Sequence, residues 1–177
     1  MGPFEAGLFY IRFPDEARGR LFSITDKRFP VVTGDGRSTL DQLIVAHPRY
    51  RLQAAVFRQR HAAALERMPA AGARVALARA GNDCQGTEFL DGTWLKTPAL
   101  EAAVDAIAQQ IDGVHFGRFD VRYHNRDAFL AGEDFAIVEL NGVTSEATHI
   151  YDPAGSGRLL SLTRTYLQTR APHAISD

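Results

Sequence analysis

With one cysteine in 177 residues, this chain can form no internal disulfide, so its stability must come from packing and polar pairing. The same scarcity fits a reducing compartment, and a cytoplasmic location is expected. Long apolar runs are missing too. None approaches the ~20 residues that a bilayer crossing requires, and Met1-Gly2-Pro3-Phe4-Glu5 has no basic segment leading into an apolar core. No membrane partner is expected. Nor is there an excess of one charge: 20 Lys and Arg face 21 Asp and Glu, for a net charge of -1. A general nucleic-acid binder would carry a basic surplus, so nucleic acid is not an expected partner. Repeats, low-complexity stretches and like-charge blocks are also lacking.

What is present suits one domain, or one lobe of a larger enzyme. Leu8 to Phe13 is rich in aromatic and branched residues and stops at Pro14, which reads as a strand. Asp15 to Gly19 is a turn, Arg20 to Thr25 the returning strand, and Pro30 to Thr33 a third short strand. Ser38-Thr39-Leu40-Asp41 resembles a capping box that opens a helix with Leu40, Leu43 and Ile44 on its apolar face. A second helix is expected over Tyr50 to Glu66 and a strand over Ala73 to Ala80, with a short one near Glu88 to Leu90. Thr97-Pro98 is a good helix start, and Leu100, Val104, Ile107 and Ile111 follow at helical spacing. Val114 to Tyr123 and Phe135 to Leu140 are strands, joined by a polar stretch. Arg158 to Thr169 is expected to be a closing helix. The order predicts an α+β fold with an antiparallel sheet flanked by helices.

The chemistry concentrates in Gly117-Arg118-Phe119-Asp120-Val121-Arg122-Tyr123 and Ile137-Val138-Glu139-Leu140-Asn141-Gly142. Alternation puts Val114, Phe116, Arg118, Asp120 and Arg122 on one face of the first strand, and Ile137, Glu139 and Asn141 on one face of the second. Asp, Glu and Asn are depleted in strands, and buried carboxylates are costly unless paired or metal-bound. If the strands are antiparallel neighbours, Asp120, Glu139 and Asn141 can converge into a hard oxygen site suited to Mg²⁺. The alternative is a structural ion pair, such as Asp120 with Arg118 or Arg122.

Gly-Arg-Phe-Asp followed by Ile-Val-Glu-Leu-Asn-Gly resembles the C-terminal motif of ATP-grasp ligases, including the D-alanine–D-alanine ligases. The strings Glu139 to Pro153 and Ser23 to Gly36 resemble a carboxylate–amine ligase-like group within that superfamily. The resemblance implies that residues 1–177 form a single C-terminal ATP-grasp lobe. Asp120, Glu139 and Asn141 would hold one or two Mg²⁺ ions against the phosphates of ATP. Arg118 would bind substrate and neutralise an acyl phosphate and its tetrahedral successor. The implied reaction phosphorylates a carboxylate with ATP; an amine then attacks the acyl phosphate, so the partners are a small-molecule carboxylate and amine. The family's Gly-rich phosphate loop has no counterpart in this sequence, since Gly34-Asp35-Gly36 is too short. Gly2-Pro3-Phe4-Glu5 resembles the stretch after the adenine-contacting strand. The N-terminal domain and the ATP-covering lobe are therefore expected to lie outside these residues, leaving the chain inactive alone and open to self-association as a homo-oligomer.

Further candidates are Arg122 and Lys27 as phosphate or substrate contacts, and Asn82 in a polar loop that could help close the site. Thr144, Ser145 and Glu146 follow the metal strand directly and, by the resemblance, would face substrate. Cys84 with His149 matches no nucleophile signature, and His115, His124 and His149 lack zinc-site spacing. Two other functions remain in play: a non-catalytic ATP-grasp remnant that binds Mg²⁺ and nucleotide weakly, and a metal-dependent phosphohydrolase using the same carboxylates. In a complete enzyme, Asp120→Asn and Glu139→Gln are each expected to cut turnover while leaving the fold intact.

Overall fold

The computed structural model describes residues 2–78, 86–142 and 145–148. The expectations for Asn82, Cys84, Thr144, His149 and the helix over 158–169 lie outside the described residues. The strands are β1 (Phe4–Ile11), β2 (Arg20–Arg28), β3 (Val31–Thr33), β4 (Arg74–Ala76), β5 (Glu88–Asp91), β6 (Phe116–Tyr123) and β7 (Phe135–Asn141). The α-helices are α1 (Leu40–Ala46), α2 (Ala54–Arg60), α3 (Pro98–Ala108) and α4 (Arg126–Leu130). The described residues fall into two compact units, divided at Lys27/Arg28 and at Glu88/Phe89.

The first unit is built on a sheet of order β5-β2-β1-β6-β7, with antiparallel pairing of β1 to β2, β1 to β6 and β6 to β7. One face carries the core. Ala6, Leu8 and Tyr10 of β1, Leu21 and Ile24 of β2, and Phe119, Val121 and Tyr123 of β6 pack on Leu100, Val104 and Ala108 of α3 and Phe129 of α4. Fully burying side chains of this size contributes roughly 1.5–3 kcal/mol each, which makes this face the main anchor of the unit. Helix α3 starts as its sequence dictates, with the Thr97 hydroxyl accepting from the Leu100 amide and Pro98 in the first turn. Two carboxylates of α3 then clamp the β1–β2 hairpin. Asp105 Oδ1 accepts from the Tyr10 hydroxyl at 2.7 Å and the Gly19 amide at 2.9 Å, and Glu101 Oε2 accepts from the Leu21 amide at 2.8 Å. Burial pushes the Tyr10 hydroxyl's pKa well up, and the Asp105 carboxylate adds to the rise.

Several local expectations are corrected. Ile111 lies beyond the end of α3 and is exposed. Val114 precedes β6 and packs with the helix-side core rather than on the face of Asp120. The stretch between β6 and β7 contains α4, whose first turn is capped by Asn125 accepting from the Asp127 and Ala128 amides. Five residues are too few to show a helical period, so only the cap could have signalled it.

In the second unit, β3 pairs antiparallel with β4. The cap of α1 is Thr39, one residue later than expected, and its box closes on Gln42 rather than Asp41. The expected helix over Tyr50 to Glu66 is three pieces: a 3-10 turn at Tyr50–Gln53, α2, and a second 3-10 turn at Ala62–Ala64. Tyr50 and Phe57 are buried, whereas Leu52 and Val56 are exposed. No continuous apolar stripe exists to carry a longer helix.

Candidate functional site

The opposite face of the first sheet carries charge where the core face carries carbon. Antiparallel register sets Glu5 beside both Lys27 and Arg122, Gly7 beside Thr25 and Asp120, Asp120 beside Glu139, and Arg118 beside Asn141. The two motif strands are thus direct neighbours, and the residues that the sequence singles out on them take opposed positions in the register. One part of the pattern is corrected. A bulge at Val138 lets Asp120 oppose Glu139 while Val121 opposes Ile137. Ile137 therefore takes the register of the core-face residue Val121, and only Glu139 and Asn141 share the face of Asp120.

Two glycines allow this packing. A Cβ on Gly117 would lie 2.7 Å from the Asn141 carbonyl oxygen, so only glycine lets the start of β6 approach the end of β7. A Cβ on Gly7 would lie 3.1 Å from Arg118 Cδ and 3.3 Å from Asp120 Oδ1, so the bare backbone of β1 makes room for Arg118 to fold over toward Asp120.

The charges form a continuous chain across three strands. Arg122 Nε meets Glu5 Oε2 at 3.1 Å, and Glu5 Oε1 meets Lys27 Nζ at 2.9 Å. Lys27 Nζ also meets Asp120 Oδ1 at 3.1 Å, and Arg118 Nε donates to the same oxygen at 2.9 Å. A second guanidinium nitrogen of Arg118 donates to Asp120 Oδ2 at 3.3 Å, and Asn141 Nδ2 donates to that oxygen at 3.4 Å. The chain is largely desolvated: the side chains of Lys27, Asp120 and Glu5 are 3%, 6% and 7% exposed, against 15% for Arg118 and 18% for Arg122. Lys27 is a buried strand residue rather than a solvated charge. Glu139 is exposed.

The loop after β7 closes one end of this face. Ala147 packs with Phe9 and Ile11, Thr148 Oγ1 donates to Thr25 Oγ1 at 3.1 Å, and Arg118 donates to the Glu146 carbonyl at 3.0 Å. Glu146 thus meets the site through its backbone. The Ser145 hydroxyl is buried with no hydrogen-bond partner. His124 sits at 3.7 Å from Asp134 on the surface, away from these groups.

The residue missed in the sequence is Glu5. The strand expected from Leu8 begins four residues earlier, at Phe4, which puts Glu5 inside it. Its partners come from β2 and β6, and only strand order reveals them.

Among the described residues, no three His, Cys, Asp or Glu side chains converge as a ready-made metal cluster. Asp120 and Glu139 are nevertheless directly opposed carboxylates, an arrangement that destabilises a sheet unless positive charge offsets it. Here Lys27 and Arg118 supply that charge. The donors available to a divalent cation are two carboxylates and the Asn141 amide oxygen, a hard-oxygen set that fits Mg²⁺. An anion arriving with the cation would give Lys27 and Arg118 new partners.

No family model matches the chain, and no curated protein matches its sequence. Among solved structures it is similar to a bifunctional glutathione synthetase from Pasteurella multocida, with a TM-score of 0.51 and 15% identity, over 85% of this chain. The chain spans only 22% of that protein's length. At this identity the likeness shows the fold alone, an antiparallel sheet flanked by helices.

Proposed function

We propose that this chain carries the metal- and phosphate-binding lobe of an ATP- and Mg²⁺-dependent carboxylate–amine ligase. The observation that carries the reading is the register of Asp120 with Glu139, on a face where Lys27, Arg118 and Arg122 converge. Three carboxylates (Glu5, Asp120, Glu139) and three cations balance there. The cluster can therefore accept a divalent cation and a polyphosphate together more readily than either alone.

In this reading Asp120, Glu139 and Asn141 would hold Mg²⁺, which would supply positive charge to phosphoryl oxygens. Lys27 and Arg122 bind the phosphates. Arg118, the more exposed partner of Asp120, reaches the acyl phosphate and the tetrahedral species formed when an amine attacks it. Negative charge grows on phosphoryl and acyl oxygens along this path, and donors fixed beforehand by ion pairs need little reorganisation to meet it. The Glu146 carbonyl accepts from Arg118, beside which a substrate would be met; Thr144 and Ser145 belong to the same proposal by resemblance alone, and Asn82 by its place in a polar loop.

The saturation of Asp120 by Lys27, Arg118 and Asn141 favours a second reading, a module that binds nucleotide without ligation. Two measurements on the isotopically labelled chain separate the readings. Titration with ATP and Mg²⁺ is expected to shift amide resonances at β1, β2, β6 and β7 while leaving those of α3 unchanged. Absence of any response on that face would refute both readings. Incubation with ATP, Mg²⁺ and mixed amino acids then tests ligation. We expect this chain alone to release no ADP at enzymatic rates, about 1 per second or faster. Substrate-dependent release at such a rate would show that it is catalytic by itself.

A further inference from the structure

Glu5 stands on the central strand of the charged face, and the reaction as proposed gives it no role. Its carboxylate is buried and divided between two cations from different strands, Lys27 of β2 at 2.9 Å and Arg122 of β6 at 3.1 Å. Asp120, the other buried carboxylate of this ion cluster, shares Lys27 at 3.1 Å and also holds Arg118 at 2.9 Å. The two acids are not equivalent. Asp120 faces Glu139 across β6 and β7 and belongs to the donor set that a divalent cation would occupy. Glu5 faces only cations, with Lys27 and Arg122 opposite it on either side. When a divalent cation engages Asp120, Lys27 keeps one carboxylate partner, and that partner is Glu5.

We propose that Glu5 is a positioning residue: it fixes the Lys27 ammonium and the Arg122 guanidinium in place for polyphosphate once Asp120 is committed to metal. The inference rests on the nucleotide-binding reading above. Its physical basis is the freedom that a long cationic side chain loses on binding. Lys and Arg side chains both lose rotamer entropy when they are fixed, and a buried carboxylate removes that cost before the ligand arrives. An unheld Lys27 would have to lose this freedom when phosphate binds.

Electrostatics alone predicts the opposite of positioning, which makes the proposal testable by sign. Glu5→Gln adds one net positive charge to the face. If Glu5 merely neutralises charge, the variant binds tripolyphosphate more tightly than the wild type. If Glu5 positions the two cations, the variant binds it more weakly, by roughly tenfold. Glu5→Asp keeps the charge and shortens the reach, so positioning predicts a loss there too, whereas neutralisation predicts none. It also decides the matter if Glu5→Gln does not fold.

The measurement is amide-resonance titration of the whole chain with tripolyphosphate, with and without Mg²⁺, alongside melting without ligand. Weaker binding by both folded variants, most marked with Mg²⁺ present, is the expected result. Variants that melt earlier yet bind with wild-type affinity or tighter would overturn the positioning role and leave the nucleotide reading standing. A wild type that binds no tripolyphosphate under either condition would overturn the nucleotide reading and this proposal together.

Discussion

Asp120→Asn and Glu139→Gln remove one charge each from directly opposed positions, yet the structure separates their effects. The Asp120 side chain is 6% exposed and accepts from Lys27, Arg118 and Asn141. Removing its charge leaves Lys27 with Glu5 alone and Arg118 with the Glu146 carbonyl. Breaking a buried pair by removing one partner costs about 3–5 kcal/mol. Asparagine keeps the volume and one acceptor oxygen, which places the expected loss near the lower end, about 3 kcal/mol. For a chain of this size that corresponds to a fall in Tm of roughly 6–12 °C. Glu139 is exposed on strand β7, at the end of the strand order, so Glu139→Gln is expected within ~0.5 kcal/mol of the wild type.

Urea denaturation followed by far-ultraviolet circular dichroism reads both losses at neutral pH. Both variants are expected to keep the fold, with a loss of stability for Asp120→Asn only. Under the proposed function both variants also lose the effect of Mg²⁺ on nucleotide binding, so Glu139→Gln is the cleaner probe of metal. An Asp120→Asn protein as stable as the wild type would refute the claim that this ion chain braces the sheet. A Glu139→Gln protein as unstable as Asp120→Asn would show that the two carboxylates form one buried unit, contrary to the exposure of Glu139.

Three further outcomes follow from the same geometry. Gly117→Ala places a methyl group 2.7 Å from the Asn141 carbonyl, so it should destabilise the protein by about 1–3 kcal/mol and displace the amide resonances of β7. Gly7→Ala meets the flexible Arg118 side chain instead, at 3.1 Å, so it should cost less stability but weaken tripolyphosphate binding in the same titration. Burial alone would raise the pKa of Asp105, but bonds from Tyr10, Gly19 and Gln109 outweigh it and hold the carboxyl below its ordinary range. That stabilisation is complete above the ordinary aspartate value of about 3.9 and is lost as pH falls through the lower folded value. Urea midpoints measured down the acid limb should therefore fall more steeply for the wild type than for Asp105→Asn, which should start lower at neutral pH; parallel curves would refute the assignment.

The sequence was most legible where a short-range period meets an improbable residue. Arg118, Asp120 and Arg122 alternate with Phe119, Val121 and Tyr123, and the structure puts the first set on the charged face and the second in the core. Helix α3 was equally plain, because its cap and its apolar spacing agree. What stayed hidden depends on strand order. Glu5 and Arg122 are 117 residues apart, and nothing local to either indicates that β1 runs between β2 and β6. The bulge at Val138 was hidden for a related reason: alternation is assumed through a run of apolar residues, and one extra residue reverses every face before it.

The ion-pair and metal readings of Asp120 looked like alternatives in the sequence, and the geometry makes them compatible. Lys27 and Arg118 occupy Asp120 in the absence of ligand, yet each also has a second partner, Glu5 for the lysine and the Glu146 carbonyl for the arginine. Neither cation is left bare if Asp120 is withdrawn from it. A cluster in which Lys27 and Arg118 each have two acceptors can exchange one of them at far lower cost than a cluster of isolated pairs, because neither buried charge passes through an unpaired state. The same redundancy bears on specificity. A monovalent anion would satisfy one cation and leave Asp120 opposed to Glu139, whereas a metal–polyphosphate complex would meet the cations and the opposed carboxylates at once. Binding should therefore be cooperative between cation and anion, and by reciprocity tripolyphosphate must raise the affinity of the face for Mg²⁺ by the same factor that Mg²⁺ raises its affinity for tripolyphosphate.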